Sequence, residues 1–213
     1  LQLAAVAYKR PGALRNYRLA EFLANGPLDP HPFRDDARAE FEYWQSDRSH
    51  IRRTVSWNDE KHRWRYPRSR PERPVFFAGV GLYLPRVEQR DLIVRNARLL
   101  SVSGSTPVDE DVRKAICGVL GFNYDALHTS EVSYQGRQSE VAVADRNGTQ
   151  YSESHMGFGE GRIQYLIRTI ETLPDRALVL IEEPETSLHV SAQRRFGSYL
   201  VNVASRKGHQ ILL

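Results

Sequence analysis

The chain has 213 residues and a mass of 24.5 kDa, which suits one globular domain, or one with a small insert, and argues against a repeat array. Its hydrophobic content of 40% and aromatic content of 10% can supply a core, and 30 Lys and Arg against 26 Asp and Glu leave a net charge of only +4, which excludes a strongly charged disordered chain. The longest apolar run, Val75 to Leu84, is interrupted by two glycines and falls short of the roughly 18 residues that span a bilayer, so no membrane partner is expected. The single cysteine, Cys117, cannot form an internal disulfide, and the amino terminus lacks the charge-then-apolar layout of a signal peptide. Both features predict a cytoplasmic protein.

Leu1 to Tyr8 is a strong helix former with no Ser, Thr, Asp or Asn ahead of it to satisfy the first N–H groups, and Pro11-Gly12 stops it. Leu14 to Ala24 carries Leu19, Phe22 and Leu23 and reads as a second helix ended by Gly26-Pro27. A polar, Asp-rich segment follows from Asp29 to about Asp47. From Ser49 the apolar period becomes two: Ile51, Val55 and Trp57 share a face, Asn58-Asp59-Glu60 turns, and His62, Trp64 and Tyr66 resume, which predicts a hairpin. Val75 to Leu84 is strand-like and leads into an Arg-rich connection. Thr106-Pro107 is expected to cap a helix striped by Val112, Ile116, Val119 and Leu120 and ended by Gly121. Glu131 to Tyr151 reads as a second hairpin that turns at Asp145 to Gly148.

The final third alternates helix and strand. Ile163, Leu166, Ile167 and Ile170 form one helical stripe before Pro174, and Ala177 to Ile181 is a continuous apolar run of buried-strand type. Val190 to Arg206 is the next helix, and Gln210 to Leu213 begins another strand. Helical crossovers between apolar strands imply an α/β fold with a parallel sheet and ligands at the carboxyl ends of its strands.

Chemistry concentrates at two places. Leu178 to Ile181 runs directly into Glu182-Glu183-Pro184-Glu185, which puts two carboxylates where a buried strand leaves its sheet; one can hold Mg²⁺ and its neighbour can orient a water, or both belong to a plain acidic loop. Met156-Gly-Phe-Gly-Glu-Gly-Arg162 precedes the striped helix and leaves its positive end uncovered, a feature that attracts phosphate and equally describes a mobile linker. A third feature is basic: Arg48, Arg52, Arg53, Lys61, Arg63, Arg65, Arg68, Arg70 and Arg73 are interleaved with Trp57, Trp64 and Tyr66, either a nucleic-acid surface or a solvated edge with the aromatics turned to the core. Cys117 reads as packing, and His155 has no metal-ligating neighbour.

Together these stretches resemble a known family. Met156 to Glu160 looks like a variant ABC signature motif, Leu178 to Glu183 like a Walker B strand, and Pro184 to His189 like a D-loop. The Glu-Glu-Pro-Glu form is similar to the non-transporter ABC-type ATPase heads, RecF-like, SMC-like and OLD-type, of the AAA_21-type. Leu1 to Ala5 resembles the helix that follows a Walker A loop. The resemblance implies a parallel-sheet P-loop NTPase core over residues 1–213 with its Walker A and switch-histidine ends cut away, a β-rich antiparallel insert at about 48–155, and a signature, Walker B and D-loop lobe at 156–213. It further implies ATP and Mg²⁺ as cofactors, Glu182 as a metal ligand, and Glu183 as the residue that polarises the attacking water. Gly157, Gly159 and Glu160 would face a nucleotide held by the opposite subunit, with Ser187 and His189 at the seam of a homodimer or higher oligomer. The signature serine is replaced by Gly157, a loss that Arg162 would offset. Arg52, Arg63 and Arg65 are the candidate nucleic-acid contacts, DNA is a candidate partner, and OLD-like systems commonly work with a nuclease effector. The expected function is an ATP-hydrolysing head in DNA repair, chromosome maintenance or phage defence; a catalytically degenerate head and a plain nucleic-acid-binding module are the rivals.

Overall fold

The computed structural model describes residues 1–23, 26, 28, 33, 36–44, 47–84 and 92–213. In chain order its main elements are α1 (Gln2–Ala5), β1 (Arg38–Trp44), β2 (His50–Asn58), β3 (Arg63–Arg65), β4 (Val75–Ala78), α2 (Leu92–Arg95) and β5 (Ser101–Pro107). There follow α3 (Glu110–Leu120), β6 (Ala126–Tyr134), β7 (Arg137–Arg146), β8 (Thr149–Ser152), α4 (Phe158–Thr172), β9 (Leu178–Ile181), α5 (Val190–Lys207) and β10 (Gln210–Leu212). The chain divides into two compact units, one made of Leu1–Phe77, Arg176–Ile181 and Gln210–Leu213, the other of Ala78–Asp175 and Glu182–His209. None of the described helices is long and apolar enough to cross a membrane.

The first unit holds a three-stranded sheet in the order β10-β9-β4. β9 and β10 pair in parallel, Leu178 opposite Gln210 and Leu180 opposite Leu212. Along the other side of β9, Leu178 N donates to Pro74 O and Glu182 N to Ala78 O, both at 2.8 Å; the two bonds advance together along both strands, so this pairing is parallel as well. All four β9 residues are buried, as a continuous aliphatic run in a central parallel strand requires, and each such side chain contributes on the order of 1.5–3 kcal/mol. Leu178 and Leu180 pack with Ala5 and Val75. A second cluster joins Val6, Leu19 and Val55 to the partly buried Trp64 and Tyr66.

The same unit contains the antiparallel sheet β1-β2-β3. The expected hairpin is present, with Trp57 opposite Trp64 and their ring centroids 5.5 Å apart. β1 adds a strand inside the segment read as polar and Asp-rich, part of which lies outside the described residues. Its Ala39, Phe41 and Tyr43 alternate with Glu40 and Glu42, so one face is apolar although the composition is not. The second helix expected at Leu14 to Ala24 is instead a 3₁₀ turn at Leu19–Glu21, with Ala24 and Pro27 outside the described residues. A tertiary partner takes a local amide: the Tyr66 hydroxyl accepts Leu19 N–H at 2.5 Å. The run from Val75 is a strand only to Ala78, after which Val80–Leu82 forms a 3₁₀ turn. The Arg-rich connection after Leu84 begins outside the described residues.

In the second unit β5-β6-β7-β8 form an antiparallel meander. Its tight turns fall at Gln135-Gly136 and Asn147-Gly148, where all four residues have positive φ, the geometry two-residue hairpins prefer. Thr106-Pro107 ends β5 rather than capping α3. The cap is Asp109, whose Oδ1 accepts from Asp111 N at 2.9 Å and Val112 N at 3.2 Å, because a carboxylate is the better acceptor for first-turn amides. α3 ends at Gly121, φ 82°, and Arg195 of α5 donates to the Val119 and Leu120 carbonyls. Cys117 is buried on α3, in keeping with a packing role.

Candidate nucleotide-handling site

All residues of the acidic turn and of the glycine-rich helix start belong to the second unit. Where β9 ends, Glu182 is half-buried and Glu183 is exposed with φ 48°. A left-handed glutamate is uncommon and costs on the order of 1 kcal/mol or more, the kind of local strain that collects at functional turns. The turn closes on itself through Thr186 N to Glu183 O at 3.1 Å and Leu188 N to Glu185 O at 3.0 Å. Ser187, exposed, is also left-handed at φ 66°. His189 caps α5: its Nδ1 accepts from Ser191 N at 3.3 Å.

α4 starts at Gly157, which is exposed and offers no side chain to cap the helix. Gly159 is pressed against the acidic turn, since a Cβ there would lie 2.3 Å from the Ser187 carbonyl oxygen. A Cβ on Gly161 would meet the hydroxyl end of Tyr83, a side chain whose ring stacks on Phe158. Of the three glycines, Gly159 is the one required by close approach to backbone, and Gly157 is left open with nothing within 4 Å. Glu160 Oε1 accepts from the hydroxyls of Tyr124 at 2.7 Å and Tyr151 at 2.8 Å. Burial, reinforced by this carboxylate, raises both phenols above their ordinary range. Gln164 Nε2 completes the network by donating to Tyr124 at 2.7 Å.

Arg162, one turn further along α4, is only 2% exposed. Its Nη2 donates to the Glu182 carbonyl oxygen at 2.8 Å, and its Nη1 is buried without a partner. Burial lowers its pKa, opposed by the charges of Glu185 and Glu183. Arg162 is thus turned inward to the strand exit.

Glu182 and Glu183 supply hard oxygens, the donor type Mg²⁺ takes. Among the described residues no group of three or more His, Cys, Asp or Glu could hold a metal alone. One or two carboxylates beside a strand end suit a cation that completes its shell with water and substrate phosphate, and the uncapped amides at the start of α4 suit an anionic oxygen. The sequence pointed to Glu182, Glu183, Gly157, Gly159, Glu160, Ser187 and His189. The structure brings Gly159 against Ser187 and ties Glu160 to the tyrosines. Tyr124, Tyr151 and Gln164 carried no sequence signal, because their contacts to one another and to Glu160 span up to 40 residues.

The basic hairpin belongs to the first unit. Arg52 is ion-paired with Glu42 opposite it, and Arg53 donates to Ser69 O at 3.1 Å. Arg63 and Arg65, outward on the edge strand β3, line an open groove with Arg15, Arg18 and Arg70. Trp57 and Trp64 pack together with Phe33, so their rings serve the core.

Residues 29–213 match the family model described as "AAA domain, putative AbiEii toxin, Type IV TA system". The chain belongs to this AAA-domain family. No curated protein and no solved structure matches it. Membership makes the chain a P-loop NTPase domain of α/β class, consistent with the parallel β4-β9-β10 sheet and the α5 crossover, and gives nucleotide-binding ATPase activity as its coarse function.

Proposed function

We propose that this AAA domain is an ABC-type ATPase head that binds Mg·ATP between two copies and uses hydrolysis to open the pair, in DNA repair, chromosome maintenance or phage defence. The observation that carries the reading is the contact of Gly159 with Ser187, which joins an uncapped helix start to an acidic turn at a strand exit. Phosphate-handling and metal-handling groups then belong to one rigid piece. Glu182 would hold Mg²⁺ together with phosphate oxygens and water, and bound Mg²⁺ would neutralise charge on the transferred phosphoryl group. Glu183, exposed beside it, orients and polarises water. Gly157 and Gly159 present backbone N–H groups to the nucleotide of the partner copy, while Glu160 holds the helix start in place through its tyrosines. Ser187 and His189 lie at the seam between copies. In the full-length protein Glu183→Gln should lower ATP turnover by roughly 10²–10⁴, the range for a lost general base, and leave ATP binding intact. Turnover at the parental rate would place the base elsewhere, and a parent that binds ATP without hydrolysing it would return the degenerate head to first place.

One observation favours nucleic acid as a second ligand. The groove beside β3 gathers Arg15, Arg18, Arg63, Arg65 and Arg70, with no acidic residue among the described residues of its lining, although Arg15 pairs with Glu21 and Arg70 donates to Val6 O. Because the tryptophan rings are engaged in packing, contact there is to phosphates and not by base stacking, and DNA bound to it would be held without regard to sequence. A nuclease effector would act on DNA so held.

A further inference from the structure

Arg162 is costly where it stands. Its guanidinium is buried, uses one nitrogen on the Glu182 carbonyl, leaves Nη1 without a partner, and has the charges of Glu185 and Glu183 in its surroundings without an ion pair to either, so that burial outweighs them. An apolar side chain of similar length would occupy the space without that penalty, and replacing buried charges by apolar groups is often neutral or stabilising. The carboxylate charges nearby offset only part of the desolvation, so stability alone does not account for an arginine here. Position does. The carbonyl it grips is the first one past β9, and it belongs to the peptide plane that leads into the left-handed Glu183. Fixing that plane fixes the directions in which Glu182 and Glu183 leave the strand. At the far end of the same turn Gly159 abuts Ser187 O, so α4 contacts the acidic turn at both ends.

We propose that Arg162 is a positioning residue, the brace through which α4 sets the backbone of the Glu182–Glu183 turn. The inference rests on the reading of Glu183 as the residue that directs water. The helix that offers Gly157 to a partner copy's nucleotide then also aims its own copy's carboxylates, so a shift of α4 on nucleotide contact is delivered to Glu183 through one hydrogen bond.

The test uses Arg162→Met, which keeps length and removes charge and donors, and Arg162→Lys, which keeps the charge and one donor direction, in the full-length protein. Arg162→Met should unfold at the parental denaturant concentration or higher. Amide exchange in residues 183–188 should rise by about tenfold or more while that of α5 stays unchanged, a local opening without global loss. With ATP, kcat should fall by on the order of 10², the effect of a displacement near 1 Å, and KM should stay within about twofold. Arg162→Lys should recover part of both effects. Uniformly faster exchange with lower stability in Arg162→Met would make the residue structural and overturn the proposal, as would a quiet turn with parental kcat. Glu183→Gln run beside them separates the two claims: if it is inactive while Arg162→Met is parental, the brace alone fails, and if it is active, the reading of Glu183 fails and the brace with it.

Discussion

Replacing Gly159 with alanine adds one methyl group at the point where α4 meets the acidic turn. Its Cβ would lie 2.3 Å from Ser187 O, 3.1 Å from Leu188 Cδ2 and 3.2 Å from Ser187 C. Ordinary contacts between carbon atoms are about 3.5–4.0 Å, so helix and turn must separate by on the order of 1 Å. The obstructing atoms include backbone, which cannot swing aside as a side-chain tip can. Overpacking of this kind costs about 1–3 kcal/mol, and the better helix propensity of alanine returns at most about 1 kcal/mol. The net loss, on the order of 1–2 kcal/mol, lowers the Tm by about 2–4 °C per kcal/mol in a chain of this length. Thermal unfolding followed by circular dichroism reads this directly. Gly157→Ser is the control: nothing lies within 4 Å of its Cβ, and serine is a better N-cap than glycine, so its Tm should equal or slightly exceed the parent's. Displacement of the turn should also cut ATP turnover by on the order of 10² in Gly159→Ala. If Gly159→Ala melts and turns over like the parent, the helix start and the acidic turn are not held together as described.

Tyr124→Phe removes a buried hydroxyl that donates to Glu160 and accepts from Gln164; it should cost about 1.5–3 kcal/mol in urea unfolding, and a loss within error would show that the network is not formed. Burial, followed by the nearby Lys207 charge, lowers the pKa of His209, so protonation favours the unfolded chain and stability should fall as pH drops through about 6.5. In His209→Gln this part of the pH dependence should disappear, and an unchanged profile would assign it to other groups. Arg63 and Arg65 changed together to Ala should flatten the log–log salt slope for duplex DNA by about 0.9 for each phosphate no longer neutralised, whereas Arg52→Ala, whose side chain is engaged with Glu42, should leave it unchanged.

The last third of the chain was legible because period decides it. Ile163 to Ile170 repeats at helical spacing, Leu178 to Ile181 is uniformly apolar, and α4, β9, α5 and β10 stand where those patterns put them. β1 was missed because composition outweighed alternation: Glu40 and Glu42 made the segment look polar while Phe41 and Tyr43 pointed the other way. Leu14 to Ala24 failed as a helix for a reason absent from local sequence, the capture of Leu19 N by Tyr66, 47 residues on. At the site, the strand-then-carboxylate order located Glu182 and Glu183, and the glycines located the start of α4. Their joining could not be read, since it depends on a side chain that is missing at Gly159 and on a carbonyl at Ser187. The orientation of Arg162 was equally hidden, because an arginine after three glycines looks like a surface group until its burial is known.

The proposed mechanism is tested most sharply by the size of the full-length Glu183→Gln protein in solution, measured by chromatography with light scattering, with and without Mg·ATP. If Glu183 directs water and hydrolysis separates the two copies, the variant should run as a single copy without nucleotide and accumulate as a dimer with it. Glu182→Gln, impaired in holding Mg²⁺, should not be trapped so cleanly. A Glu183→Gln protein whose size does not respond to Mg·ATP, or one that hydrolyses ATP at the parental rate, would contradict the assignment of the acidic turn as the catalytic centre.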